Sequence, residues 1–503
     1  MSSPTSNDKM QFEGFISDFK QTLHYLFHER ENINKLSLER GLPPEVWHGI
    51  MSKKPLSVAI PSEFGGRGAI VKECLSVLSA ASYESLSLSL TFGINIALFL
   101  EPVAKYGNDE IKQEIFSRFL EEENMGGLMI TEPDYGSDAL NMRTHNEEVE
   151  GGYKVKGTKH WQGLTGMADY WLIASRKKLN DSDLARDIDF FIADNRVPSQ
   201  KIVVEELYNN PGLYIIPYGL NKIDIEVPAK FKLQPESTGI KMMLDILHRS
   251  RFQFPGMGMG FITRMLDEAT KHCEERIVGA GNLLCMDQVQ YQLSRIQTAY
   301  TICSAMCFKS SSVSGIEHNL AAEGLEANTM KAVVTDLMHE SAQTYTQLSG
   351  ANGYRMEHVG GRGIMDSRPF QIFEGSNEML YSQIAEMATR QMRKTKQPNL
   401  LQYLLGYEPT KEAVSYFKKL VDFSIDSPLT QRKLVDLGRA IARIICIGYV
   451  LEMEAAGFRK DLAENCVKNI QQEVAALISS FHHSTDTQVI VDYKDSSAWY
   501  SFV

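Results

Sequence analysis

Phe15, Phe19, Leu23 and Phe27 recur every four residues, which places them on one face of a helix. Leu75, Leu78, Leu86, Leu88 and Leu90, then Ile94, Leu98 and Leu100, continue the apolar pattern, so residues 10–125 read as an N-terminal helical domain. Between these runs, Ile60-Pro61-Ser62-Glu63-Phe64-Gly65-Gly66-Arg67-Gly68 is a loop on its glycines and proline. The pattern shortens near Asn124. Gly127–Thr131, Tyr153–Gly157, Tyr170–Ala174, Asp189–Ala193, Lys201–Val204 and Ile223–Val227 read as short strands separated by turn residues. They predict a small antiparallel β domain over 126–240. Helical spacing returns in Gly260–Arg276, in Gln288–Lys309 and over 326–348, and predicts a C-terminal helical bundle over 241–392. After Arg393-Lys394-Thr395-Lys396-Gln397-Pro398 the chain restarts with Leu434, Leu437, Ile441, Ile444 and Ile445 on a helix face. Residues 393–503 therefore read as an additional helical domain, whose apolar faces must cover either their own core or the preceding helices. The expected fold class is mainly α with a small β domain.

Composition narrows the function classes. At 503 residues several domains are expected, and 43% apolar with 23% charged residues is ordinary for a folded globular chain. A net charge of −11 argues against a nucleic-acid partner, which needs a basic surplus to neutralise phosphates. The seven cysteines are odd in number and form no CxxC, so neither a disulfide framework nor a zinc site is expected. No metal is expected. The N-terminus shows neither a basic region followed by an apolar one nor a transit peptide's Arg-rich character. No apolar run reaches 18 residues, so no membrane insertion is expected, and the expected location is cytoplasmic.

The strongest candidate chemistry lies in Gln371-Ile372-Phe373-Glu374-Gly375-Ser376-Asn377-Glu378. A carboxylate stands between an apolar run and a Gly-Ser turn. Apolar surroundings disfavour the charged form and raise the pKa, which makes Glu374 a candidate base near neutral pH. Gly375 permits a close turn, and Ser376 or Asn377 is placed to cap the helix that follows.

Three further stretches point the same way: Ile130-Thr131-Glu132-Pro133-Asp134-Tyr135-Gly136-Ser137-Asp138; Gly157-Thr158-Lys159-His160-Trp161 followed by Ala168-Asp169; and Gln347-Leu348-Ser349-Gly350-Ala351-Asn352-Gly353-Tyr354 followed by Asp366 and Phe373–Ser376. With the loop at 60–66 they resemble the acyl-CoA dehydrogenase family, in the same order, over roughly residues 10–392. The residues after 393 are similar to the added helical domain of very-long-chain members. The resemblance implies FAD-dependent α,β-dehydrogenation of an acyl thioester in fatty acid metabolism. Glu374 would take the α-proton and flavin N5 the β-hydride. A cofactor hydroxyl and the Glu374 N–H would hold the thioester carbonyl.

It further implies that Leu128, Ile130, Thr131, Gly136, Ser137, Trp161 and Gly163 face FAD, with Ser376 and Glu378. Small residues such as Gly136 and Ser137 suit a pyrophosphate, and Trp161 offers a flat face, although a buried core tryptophan is the bland alternative. Arg276 is matched to a diphosphate contact, or else simply ends a helix. Gln347, Leu348, Gly350 and Ala351 resemble a second FAD strip donated by a neighbouring subunit, which implies a homodimer or homotetramer. Ser137, His248, Ser250, Arg251 and Gly375 are matched to the substrate path, with His248 to Arg251 lining the channel. Some family members carry the base at the position of Ser250, which cannot act as one.

Three departures stand out. Trp161-Gln162-Gly163 lacks the family's threonine, Arg276-Ile277-Val278-Gly279-Ala280 lacks its aromatic, and Met365-Asp366 replaces an Arg-Asp pair. The substrate is expected to be an acyl-CoA or an acyl-carrier-protein thioester, with an electron-transferring flavoprotein as acceptor. The alternatives are flavin oxidase or monooxygenase chemistry and a non-catalytic scaffold or assembly protein.

Overall fold

A computed structural model describes residues 6–180, 183–425, 428–483 and 487–503, with side chains from Gln11 onward. Residues 1–5, part of the stretch read above for a leader, lie outside it. The longer helices of the N-terminal region are α1 (Ser6–His24), α2 (Val71–Glu84), α3 (Leu86–Asn95) and α4 (Asp109–Glu121). Phe19, Leu23 and Phe27 are buried on the face that the four-residue spacing predicts, and the last of them lies in a π-helical turn, Tyr25–Arg30. In the 60–68 loop a side chain on Gly66 would strike the carbonyl of Ile60, so only glycine closes this turn.

One composite helical stretch is more apolar than the sequence reading brought out. Leu86–Tyr106 is long and apolar enough to cross a membrane by length and composition, yet 94% of its most apolar window is buried in the protein. Interspersed polar residues broke the apolar run in the sequence. They are satisfied locally: Ser89 Oγ donates to the Leu78 carbonyl (2.7 Å), Thr91 to Ser87 (3.0 Å) and Asn95 Nδ2 to Thr91 (2.8 Å).

Among the described residues the middle region holds seven strands: β1 (Gly126–Met129), β2 (His145–Val149), β3 (Gly152–His160), β4 (Tyr170–Lys177), β5 (Asp189–Asp194), β6 (Val203–Leu207) and β7 (Gly219–Pro228). They form one sheet in the order β1-β4-β2-β3-β7-β6, with β5 also pairing β4. The sheet is mixed, not purely antiparallel as expected, because β4 pairs parallel with both β1 and β2. Parallel pairing needs a crossover, and the β2–β3 hairpin with its return through 161–169 provides one. Strand β2 escaped the sequence reading because His145-Asn146-Glu147-Glu148-Val149 has little apolar alternation.

The C-terminal helices are α5 (Gly239–Glu275), α6 (Asp287–Val313), α7 (Gly324–Ser349), α8 (Val359–Ser367) and α9 (Asn377–Lys394). Gly360 and Gly363 lie inside α8. A side chain on Gly360 would meet Thr346 Oγ1 at 2.8 Å, so this glycine permits close packing on α7.

Beyond residue 393, α10 (Gln431–Ala455) packs on α9 and α6, and α11 (Lys460–His482) packs on α10 and α6. The extension thus covers the preceding helices as well as itself. Gly438 lets α10 approach the backbone of Tyr381, and Arg443, buried in α10, reaches Glu473 of α11 at 2.7 Å.

Candidate active site

Helix α5 carries His248, Ser250 and Arg251, and the short helix Arg368–Gln371 delivers Glu374 opposite them. Glu374 has φ 52° and Gly375 φ 94°, two consecutive left-handed residues that reverse the chain into α9. The first costs strain, roughly 1–2 kcal/mol for a residue with a Cβ. The second must be glycine, because at φ 94° a residue with a side chain is strained whatever space surrounds it.

Ser250 Oγ donates to Glu374 Oε1 at 2.9 Å, while Oε2 is closed from solvent and has no partner. Arg251 donates to the Glu374 carbonyl at 2.8 Å and to Asn328 Oδ1 at 2.6 Å. Burial pushes the Glu374 carboxyl above its ordinary range, and the opposing pull of Arg251, Ser250 and Lys331 is smaller. The Glu374 N–H is spent on no acceptor among the described residues. His248 Nδ1 lies 2.7 Å from the Leu320 carbonyl, which can only accept, so Nδ1 carries the proton. Burial and then Arg251 push its pKa down to about 4, leaving the ring neutral.

Arg249, expected in the channel, is turned away. It pairs with Asp245 at 3.3 Å and donates to the carbonyls of Ser314, Gly315 and His318. Successive helix residues are 100° apart, so four in a row cannot share one face. The capping expectation also changes. Ser376 occupies the N-cap position without a side-chain bond. The Asn377 side chain points inward, donating to Asp336 Oδ1 (2.7 Å), Thr335 Oγ1 (2.9 Å) and the Ala332 carbonyl (3.1 Å) of α7. Glu378 is exposed and lies 3.9 Å from Arg439 of the extension.

A second group gathers at the mouth of the sheet. The Thr131 carbonyl accepts from His160 N (3.0 Å) and Gln162 Nε2 (3.1 Å), which ties Thr131 to the Trp161 turn. Along β1 and just past its end, Leu128 and Ile130 are half-buried while Met129 is fully buried, so alternate residues open outward. Trp161 is 54% exposed and has φ 59°; its ring lies 4.5 Å from that of Tyr208 and 6.1 Å from that of Tyr218. It is not a core tryptophan. Gly136 and Ser137 are exposed, and a side chain on Gly136 would meet nothing within 4 Å.

Glu132 of the same turn is structural. It pairs with buried Lys159 at 3.0 Å and accepts from the N–H groups of Arg143 and Thr144. Gly163, where the family has threonine, leaves no gap: a Cβ there would lie 2.7 Å from Ile94 Cδ1 and 3.2 Å from Ile216. The neighbouring Gly93 packs on Met257 of α5, about 10 Å along the helix from Ser250 at ~1.5 Å per residue.

Arg276, Gln347, Leu348, Gly350 and Ala351 lie elsewhere. His248 sits beside Gly324, and Gly258 beside Val334, so α5 and α7 run in the same direction and end together. Arg276, at the exposed C-cap of α5, is roughly 39 Å of helix from Ser250. Gln347, Gly350 and Ala351 are exposed and Leu348 is half-buried, at the end of α7. The family's aromatic after Arg276 is replaced by a small hairpin, Ile277–Val278 against Gly281–Asn282. Asp366 accepts from Leu213 N at 2.7 Å, and Arg362, one turn back, takes the place of the missing arginine as its charge partner.

Tyr208, Tyr218, Asn328, Lys331 and Asp336 were missed by the sequence reading. Only Lys331 left a signal: a lone charge within Met330-Lys331-Ala332-Val333-Val334.

Three family models match the chain: the acyl-CoA dehydrogenase N-terminal domain over residues 20–123, its middle domain over 127–220 and its C-terminal domain over 237–389. The chain belongs to the acyl-CoA dehydrogenase family, a class of flavin-dependent oxidoreductases that use FAD. Among relatives, an acyl-CoA dehydrogenase of Bacillus subtilis (strain 168) is 24% identical over 339 residues, covering 66% of this chain and 85% of that protein. The human mitochondrial very long-chain specific acyl-CoA dehydrogenase is 20% identical over 377 residues, 73% of this chain; the match spans only 56% of that protein's length. Among solved structures, an acyl-CoA dehydrogenase complexed with FAD from Bacillus anthracis superposes with a TM-score of 0.72 at 17% identity. It covers 95% of this chain and 88% of its own, so the match extends into the region beyond residue 392.

The residues present fit FAD. Trp161 offers an open flat face, β1 presents alternate open side chains beside it, and the Gly136–Ser137 backbone leaves room for a bulky group.

Proposed function

We propose that this chain is an acyl-thioester dehydrogenase in which Glu374 is the base. The observation that carries the reading is the pairing of a buried carboxylate, one oxygen unpartnered, with an unused N–H on the same residue. Glu374 removes the α-proton of the acyl group. Its raised pKa suits it to hold that proton near neutral pH. The Glu374 N–H is the protein's own donor to the thioester carbonyl, where negative charge develops. Arg251 stabilises the turn by its bond to the Glu374 carbonyl, and neutral His248 lines the approach without adding charge. Bound FAD supplies a hydride acceptor for the β-carbon.

The spacing along α5 supports a homo-oligomer. Arg276 and the Gln347–Ala351 strip lie too far from Ser250 to serve the same cofactor, so they are placed for a neighbour's. Exposed Tyr354 and Met356 continue that surface. An electron-transferring flavoprotein is the proposed acceptor.

The test is an absorbance spectrum before and after anaerobic addition of an acyl-CoA panel, with Glu374→Gln in parallel. Flavin bands should bleach with one chain length, and the variant should keep its flavin while turnover falls by about 10³-fold or more. Full activity in Glu374→Gln overturns the assignment. Bleaching only by acyl-carrier thioesters moves the substrate from CoA to a carrier protein, and a colourless protein that refuses added FAD points to a scaffold.

A further inference from the structure

Lys331 of α7 is fully buried, which is rare for a lysine and demands a reason. Its Nζ donates to the Gly375 carbonyl at 2.8 Å and to Asn377 Oδ1 at 3.0 Å. Arg251, from α5, donates to the carbonyl of the preceding residue, Glu374. Two successive carbonyls of the strained turn thus each receive a charge-assisted bond, from cations on two different helices. Neither cation is bonded to the Glu374 carboxylate, whose only hydrogen-bond partner among the described residues is Ser250. The cations hold the backbone and leave the reacting oxygens free.

The surroundings of Lys331 extend this frame to both sides of Glu374. Asp336 accepts from Asn377 (2.7 Å), from Gln371 Nε2 (2.8 Å) and from Tyr381 Oη (2.7 Å). Residues 371, 375, 377 and 381 are therefore all tied to the Lys331–Asp336 stretch of α7, and Glu374 lies between them in the chain. We propose that Lys331 is the positioning residue of the catalytic turn: its ammonium fixes the Glu374–Gly375 backbone and favours the ionised form of the Glu374 carboxyl. This rests on Glu374 being the base.

The charged groups facing Lys331 are Glu374, Arg251, Asp336 and Glu378. Burial pulls the lysine down to about 7, with Arg251 adding to the fall and Glu374 opposing it. Burial thus brings the titration of Lys331 to about 7. Below about 7 the ammonium lowers the Glu374 pKa; above it that support is lost and the turn loosens. The consequence is a falling alkaline limb in kcat/KM that belongs to Lys331.

The test uses the flavin-loaded protein and the variants Lys331→Met and Lys331→Arg. Lys331→Met should retain its flavin spectrum, lose about 10²-fold in kcat with little change in KM, lose the alkaline limb and shift the acid limb upward. Lys331→Arg keeps a cation and should retain the acid limb. A second readout needs no turnover. Infrared titration of the Glu374 carboxyl, as the difference from Glu374→Gln, should show a higher pKa in Lys331→Met. An unchanged infrared pKa with an unchanged pH profile overturns the proposal. A shifted infrared pKa without acyl-thioester turnover in the parent supports the positioning role and overturns the substrate reading instead. Should Lys331→Met fail to hold flavin, Asn377→Ala leaves the ammonium one acceptor fewer and should show the same acid-limb shift, reduced in size; no shift there overturns the proposal as well.

Discussion

The catalytic turn and the seam between the extension and the bundle both bury carboxylates beside arginines, yet they push those carboxylates in opposite directions. At the seam, Arg443 Nε donates directly to Glu473 Oε1 at 2.7 Å, and Arg295 lies 3.5 Å from its other oxygen. Burial pushes Glu473 up, but the two arginines outweigh it and its carboxyl ends below the usual range. At the turn, Arg251 and Lys331 bind carbonyl oxygens, so burial wins and Glu374 ends above that range. The same residue types build a clamp in one place and a base in the other. What differs is whether the cation reaches the carboxylate or only the backbone beside it.

The largest test of that contrast is to break the clamp. Arg443→Met removes one partner of a buried pair and should cost about 3–5 kcal/mol in stability, read as a lower urea midpoint. Turnover per folded, flavin-loaded molecule should stay near parental. If the midpoint does not move, the seam is not a clamp. Stability at the seam should also fall in acid: Glu473 has a depressed pKa, so its contribution is present above the unfolded carboxyl value and lost as the pH drops through the folded one.

A smaller effect of opposite sign is expected at the turn. Glu374→Gln removes a buried charge with an unpartnered oxygen and should raise stability by about 1 kcal/mol at neutral pH. Because the folded pKa is raised, the native protein loses stability as the pH climbs past the unfolded carboxyl value towards the folded one, and the variant does not. The gap between their unfolding midpoints should therefore widen with pH; a constant gap would contradict the raised pKa. The smallest effect is expected of Ser250→Ala. It removes the only hydrogen bond to Glu374 Oε1 among the described residues and should move the acid limb of kcat/KM up by about half a unit. A downward shift would mean that Ser250 instead favours the neutral acid.

Much of this was legible along the chain. The Phe15–Phe27 spacing, six of the strands and the run of helices after 241 follow from periodicity, because a single buried face imposes its period on local sequence. Glu374 and Trp161 stood out through their neighbours in the chain. Strand β2 did not, because its first four residues are polar and its partners on β4 lie 31 residues away in the chain. The direction of Arg249 was equally hidden: nothing in His248-Arg249-Ser250-Arg251 says that its second member serves the 314–318 loop.

The sequence by itself determined the order of elements, the left-handed turn that Gly375 makes achievable, and the carboxylate placed in it. Only the tertiary structure decided what that carboxylate meets. Lys331 reaches Gly375 across 44 residues and Arg251 reaches Glu374 across 123. Which cation touches a carboxylate and which stops at a carbonyl is a matter of tenths of nanometres between separate helices. Local patterning constrains each helix face but carries no information on how two faces are set against one another.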